Sequence, residues 1–84
     1  MTETELKKII FGLLKNIAPD TEPETLNDDD NIRKKLGIDS FDYLQFMIGL
    51  DERLKIKIPE EDYSKIQKLN ELVKYVAEKS VIAS

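Results

Sequence analysis

The 84-residue chain contains neither histidine nor cysteine. The usual general base near pH 7, the commonest zinc ligand and the thiolate nucleophile are therefore all missing. No Ser-His-Asp or Cys-His device can be assembled from it, and no disulfide or cysteine-held metal can staple it. Chemistry is left to the serines, the tyrosines and the carboxylates. Ser64, Ser80 and Ser84 fall in a short helix, near a helix end and at the terminus, where each reads as a polar surface residue. Ser40 differs by position. A long polar stretch delivers it, beside Asp39, to the start of an amphipathic segment. The free amides and the dipole of a helix N-terminus attract anions, so a phosphate attached to Ser40 would be electrostatically favoured there. Both residues also suit ordinary capping of a helix, and the dipeptide alone does not separate the two roles.

A second cluster invites a metal reading. Asp28, Asp29 and Asp30 sit in a stretch of turn-forming residues. A calcium loop needs oxygen ligands at alternate positions, glycine at the sixth and glutamate at the twelfth. Counted from Asp28, the sixth position is Arg33 and the twelfth is Asp39. The pattern fails, and a solvated acidic loop with no metal is expected.

The elements that must position Ser40 follow from hydrophobic spacing. Leu6, Ile9, Ile10, Leu13, Leu14 and Ile17 form one helical stripe, predicting a first helix from about Thr4 to Ile17. Thr2 or Thr4 can cap it, and Pro19 ends it. From Ala18 to Ile38 the pattern is lost among prolines, asparagines and aspartates, so a long loop is expected there. Only Leu26, Ile32, Leu36 and Ile38 could tie it to a core. Such a loop in a small domain often has a function. Gly37 can supply a left-handed turn before the next helix, capped by Asp39 or Ser40 and running to about Leu54.

That second helix carries two stripes. At ~100° per residue, Tyr43, Phe46, Met47, Leu50 and Leu54 gather on one side, and Phe41, Leu44 and Ile48 on the other, beside Gln45 and Glu52. The second stripe must meet either another helix or a partner. Gly49, costly in a helix by ~1 kcal/mol against alanine, would permit the close approach of either. Ile56-Lys57-Ile58 is too short for a strand, and Pro59 opens a short acidic helical turn in which Tyr63 and Ile66 are expected to bury. Leu69, Leu72, Val73, Val76 and Ala77 make a last amphipathic helix, with Val81 and Ile82 as its possible extension. The fold class expected is all-α: a single domain over residues 1–84, a small four-helix bundle with three long helices, one short one and a long loop between the first two.

Composition narrows the function classes. Thirteen basic and 17 acidic residues give a net charge of −4, with 40% hydrophobic and 36% charged residues. An acidic surface argues against binding nucleic acid. The longest apolar run, Ile9 to Leu14, is far short of the roughly 18 residues of a spanning helix, so no membrane insertion is expected. A secretory signal needs a basic start followed by about seven to fifteen apolar residues, whereas Glu3, Glu5, Lys7 and Lys8 come first here and only Ile9 to Leu14 follows, so the cytoplasm is the expected location.

Taken with its context, Ser40 gains a sharper reading. Leu36-Gly37-Ile38-Asp39-Ser40 followed by an amphipathic helix, then Ile58-Pro59-Glu60-Glu61-Asp62, resembles the acyl carrier protein family along the whole chain. The resemblance implies that Ser40 bears a covalent 4′-phosphopantetheine, placed there from coenzyme A by a phosphopantetheinyl transferase that recognises Asp39. It implies a partner-binding face of Phe41, Asp42, Leu44, Gln45, Ile48 and Glu52, and an acyl-chain shelter at Phe46, Leu50 and Leu54. The chain would then be no enzyme. It would be a monomeric shuttle, moving acyl thioesters among loading and processing enzymes of fatty-acid, polyketide or other specialised lipid metabolism. Aminoacyl or peptidyl cargo is the variant within this class. Departures favour a specialised carrier: Phe41 stands where the family usually has leucine, Gln45 where an acid is usual, and Arg53, Lys55 and Lys57 make the helix end basic. The reading from another class is a helical adaptor that docks a partner through Phe41, Leu44 and Ile48 without a prosthetic group.

Overall fold

The computed structural model describes residues 2–83, with side chains through residue 79. The side chains of Ser80, Val81 and Ile82, and all of Ser84, lie outside the described residues. Helix α1 spans Glu3–Ile17. Thr2 caps it in a capping box: its side chain accepts from the Glu5 amide, and the Glu5 side chain accepts from the Thr2 amide. Two otherwise orphaned donors are satisfied, as the Thr2 and Glu5 spacing allows. Leu6, Ile10 and Leu14 on one face are fully buried.

The stretch after α1 is more ordered than a loop. A single 3₁₀ turn covers Pro23–Thr25, and a five-residue helix, α2, covers Ile32–Leu36. Two apolar residues four apart give α2 too little periodicity to be recognised, so its termini carry the information. Asn31 caps it by accepting from the Lys34 amide, and Gly37 ends it at φ 67°, where only glycine is free of strain. The amides of Gly37 and Ile38 both return to the Arg33 carbonyl. Leu26, Ile32 and Ile38 are buried, while Leu36 is half-buried, so all four expected anchors pack inward.

Helix α3, the expected second helix, spans Ser40–Leu54 and α4 spans Leu69–Ala83. Between them lies a 3₁₀ segment, Glu60–Lys65, with its acidic residues in the first turn. Ile66 behind it is buried, but Tyr63 is only half-buried because it borders the groove described below. Helix α1 packs on both α3 and α4. At Gly49 of α3 an added Cβ would lie 3.3 Å from the Leu13 side chain, so the glycine serves contact with α1 and not with a partner. Phe46, Met47 and Leu50 meet Leu72 and Val76 in a core that holds no buried polar or charged residue among those described.

Three backbone hydrogen bonds clamp the segment before α2 to the start of α4. Ile32 donates to the Gln67 carbonyl at 2.9 Å, Leu69 to Asp30 at 3.1 Å and Asn70 to Asp28 at 2.9 Å. The acidic run is thereby used structurally. Asp28 pairs with Lys7 at 3.1 Å, the Asp30 carboxylate accepts from the Asn27 amide, and Asp29 faces the Asn70 amide group.

Candidate functional site

Ser40 is the first residue of α3 and is exposed. Asp39 takes the capping role: its carboxylate accepts from the Asp42 amide at 2.8 Å, and its carbonyl receives the first helical bond, from Tyr43. The choice between Asp39 and Ser40 as cap is thus resolved, and the serine hydroxyl lies outside the cap. Gly37 reverses the chain at the end of α2, so α2 and α3 meet at Ser40.

Ser40 borders an open groove of about 950 Å³. One wall comes from α2 and its cap, with Asn31, Arg33 and Lys34. Phe41 and Leu44 of α3 make a second wall, and Glu60, Tyr63 and Gln67 make the third. The groove therefore offers two cations near the serine and an apolar and amide-bearing stretch farther on. A phosphodiester on Ser40 fits this setting, since exposed Arg33 and Lys34 can screen its charge and the first amides of α3 are close by. Sequence reasoning missed Arg33, Lys34, Tyr63 and Gln67 as neighbours of Ser40. Only the Asn31 and Gly37 caps, six positions apart across α2, hinted that the three basic residues between them belong to an ordered element.

The apolar residues of α3 divide as the helical wheel predicts. Phe41 is 65% exposed, Leu44 39% and Ile48 41%, with exposed Gln45 and Glu52 and half-buried Asp42 around them. No helix of the described chain covers this stripe. Tyr43, Phe46, Met47 and Leu50 are buried, and Leu54 is half-buried. Phe46, Leu50 and Leu54 do not line the groove beside Ser40.

Two tyrosines hold the third wall in place. The Tyr43 hydroxyl donates to the Ile66 carbonyl at 2.8 Å, and its ring lies 5.9 Å from that of Phe46. Burial pushes its pKa up. From α4, the Tyr75 hydroxyl donates to the Asp62 carboxylate at 2.6 Å. That bond, ahead of the Lys65 ammonium 3.5 Å away, holds the Asp62 pKa below its ordinary value. Burial first, and the Asp62 bond second, push Tyr75 from 10.0 up to about 12.

A pH dependence follows. The fold favours the neutral Tyr75 phenol, so its stabilising effect is complete below pH 10 and is lost as the pH climbs through about 12. Tyr75→Phe should flatten the fall of stability with pH across that window. Urea titrations at pH 9, 10 and 11 check it; an unchanged slope would show that the phenol does not titrate with unfolding.

Comparison with known proteins agrees with this geometry. A family profile described as "Phosphopantetheine attachment site" matches residues 9–76, and so covers Ser40 and all three walls of the groove. The acyl carrier protein of Wolinella succinogenes is 29% identical over 70 residues, covering 80% of this chain and 92% of that one. That of Chloroherpeton thalassium is 28% identical over 79 residues, covering 94% and 98%. The fold matches a solution structure assigned as an acyl carrier protein from Anaplasma phagocytophilum with a TM-score of 0.81, at 26% identity and with 95% and 93% of the two chains covered. Among the described residues no helix is long and apolar enough to cross a membrane. With an exposed serine at a helix start and a match spanning most of its length, the chain belongs to the phosphopantetheine attachment-site family, as a carrier of covalent 4′-phosphopantetheine and not a catalyst.

Proposed function

We propose that Ser40 is the residue that bears the 4′-phosphopantetheine and that the protein carries acyl groups on it between biosynthetic enzymes. The observation that carries this reading is the exposed Ser40 at the first position of α3, opening on a groove with Arg33 and Lys34 at its rim. When bound, the group supplies the thiol that this cysteine-free chain lacks. The chain's own part is to hold and present it. Asp39 fixes the first turn of α3 and, being exposed beside Ser40, is the mark by which a phosphopantetheinyl transferase finds the site. The uncovered stripe of Phe41, Leu44 and Ile48, flanked by Asp42, Gln45 and Glu52, receives the transferase and the acyl-loading and acyl-processing enzymes in turn.

The charges on and near that stripe favour a specialised lipid or polyketide pathway. Gln45 removes one acid, while Arg33, Lys34, Lys35 and Arg53 add positive charge at the two ends of α3. Charge complementarity governs encounter rate and partner choice more than affinity. The partners are therefore expected to be less basic where they meet this helix. We place the exchange in the cytoplasm, with the carrier acting as a monomer.

The test is an intact mass after incubating the apo-protein with coenzyme A and a broad-specificity phosphopantetheinyl transferase. One phosphopantetheine should be gained, and Ser40→Ala should gain none. A folded protein that gains nothing with several transferases would instead be an adaptor working through Phe41, Leu44 and Ile48.

A further inference from the structure

We propose that Arg33, Lys34 and Lys35 on α2 form, with Phe41 and Leu44, a docking surface for an acidic protein patch: a partner enzyme that sets carboxylates beside an apolar contact. This rests on the α3 stripe being the face that receives the carrier's enzymes, and it names the chemistry they bring to its Ser40 end. The three cations follow one another in sequence, and all are exposed. None enters an ion pair with a described residue, whereas Lys7 and Lys65 both do. They also run against the rest of the chain, since removing them would take the net charge from −4 to −7.

The fold has no use of its own for this charge. Helix α2 is held by buried Ile32, by its Asn31 and Gly37 caps and by the Ile32 amide on the Gln67 carbonyl. A cation can favour the carbonyl end of a helix, but the Arg33 carbonyl there already accepts from both Gly37 and Ile38. Three like charges within ~3 Å of helix axis repel one another. The acids that open α3 do not neutralise them: the Asp39 carboxylate accepts from the Asp42 amide, and Asp42 is half-buried. A singly charged phosphodiester on Ser40 leaves most of their charge unmatched. Arg33 and Lys34 border the same groove as Phe41 and Leu44, so a surface that covers those two side chains meets the cations as well. Carboxylates on that surface are attracted and speed encounter, while a basic patch there meets like charge and is rejected. A flat anionic membrane fits less well, because it would face the rest of this acidic chain and not α2 alone.

Two synthetic helical peptides test this, both with the same leucine stripe, one flanking it with glutamates and the other with lysines. They are titrated by NMR into the full chain, with and without the arm on Ser40. In low salt the acidic peptide should bind at least about 10-fold more tightly than the basic one, with shifts at Arg33, Lys34, Lys35, Phe41 and Leu44. Raising the salt to about 0.5 M should remove most of that preference. Arg33→Glu, Lys34→Glu and Lys35→Glu together should reverse it, with circular dichroism showing that the variant is folded. If it is not, the pair Lys34→Gln with Lys35→Gln should cut the preference by at least about 3-fold. Equal affinity for the two peptides, a preference for the basic one, or binding of neither overturns the proposal. So does co-sedimentation with phosphatidylglycerol vesicles in place of peptide binding, which would assign α2 to a lipid surface. Failure of Ser40 to accept phosphopantetheine while the acidic peptide is still preferred overturns the carrier reading and not this surface.

Discussion

Phe46→Ala lowers the free energy of unfolding by about 3–5 kcal/mol, and Phe41→Ala on the same helix by less than about 0.5 kcal/mol. The two phenylalanines are five residues apart, ~140° around α3. One is wholly enclosed, among Tyr43, Met47, Leu50 and the facing residues of α1 and α4; the other is 65% exposed. Truncating the first removes the transfer energy of a whole ring and leaves a cavity that close-packed neighbours fill only in part. Truncating the second removes surface that was already in water. A domain of 84 residues has roughly 4–13 kcal/mol of stability in all. The Phe46 variant therefore gives up a large share of that stability, and its melting temperature drops by at least about 12 °C. Urea denaturation followed by circular dichroism measures both. Equal losses at the two positions would contradict the division of α3 into a core face and a free face. Phe41→Ala should by contrast keep its stability and lose rate with the transferase and partner enzymes, which separates the docking role from the folding role.

That division could be read from spacing alone, and the reason is geometric. A helix of fifteen residues presents each face three or four times, so Phe41, Leu44 and Ile48 declare themselves as a stripe apart from Phe46 and Leu50. The same holds for α1, although its cap, open between Thr2 and Thr4 in the sequence, is fixed at Thr2 only by the bonds to Glu5, which start the helix at Glu3 and not at Thr4. Helix α2 escaped because five residues make little more than one turn; Ile32 and Leu36 form a single i, i+4 pair, indistinguishable from chance. What brings Arg33, Tyr63 and Gln67 around Ser40 is longer in range. The clamp from residues 28–32 to residues 67–70 is made by backbone amides and carbonyls, which leave no trace in side-chain pattern. Tyr43 illustrates a middle case. Its place on the core stripe was legible, but its bond to the Ile66 carbonyl, 23 positions away, was not. The serine and its aspartate were conspicuous, and the groove they open on was not.

Ile32→Ala is expected to cost about 2–5 kcal/mol, and to act on the site more than on the rest of the fold. Ile32 is fully buried, opens α2 and donates its amide to Gln67, so it joins the acidic stretch, the groove wall and the start of α4. Its neighbours Leu26 and Ile38 are buried less completely, and the segment between α1 and α3 has few other apolar anchors. Local opening of such a segment draws on its own contacts and not on those between α1, α3 and α4. Amide hydrogen exchange in the variant should therefore accelerate most at residues 32–38, by 10-fold or more for each ~1.4 kcal/mol lost locally, while Ile10 and Leu14 in α1 change least. Because α2 and Gly37 set where Ser40 emerges, the rate of phosphopantetheine transfer should fall with the exchange protection, even at temperatures where circular dichroism reports an intact bundle. Ile32→Val, which removes one methylene for about 0.5–1.5 kcal/mol, should lie between the variant and the parent in both measurements. Exchange that rises evenly over all helices would mean that the segment and the bundle open as one unit. In that case α2 belongs to the core in the full sense, and Ser40 is held as rigidly as Phe46.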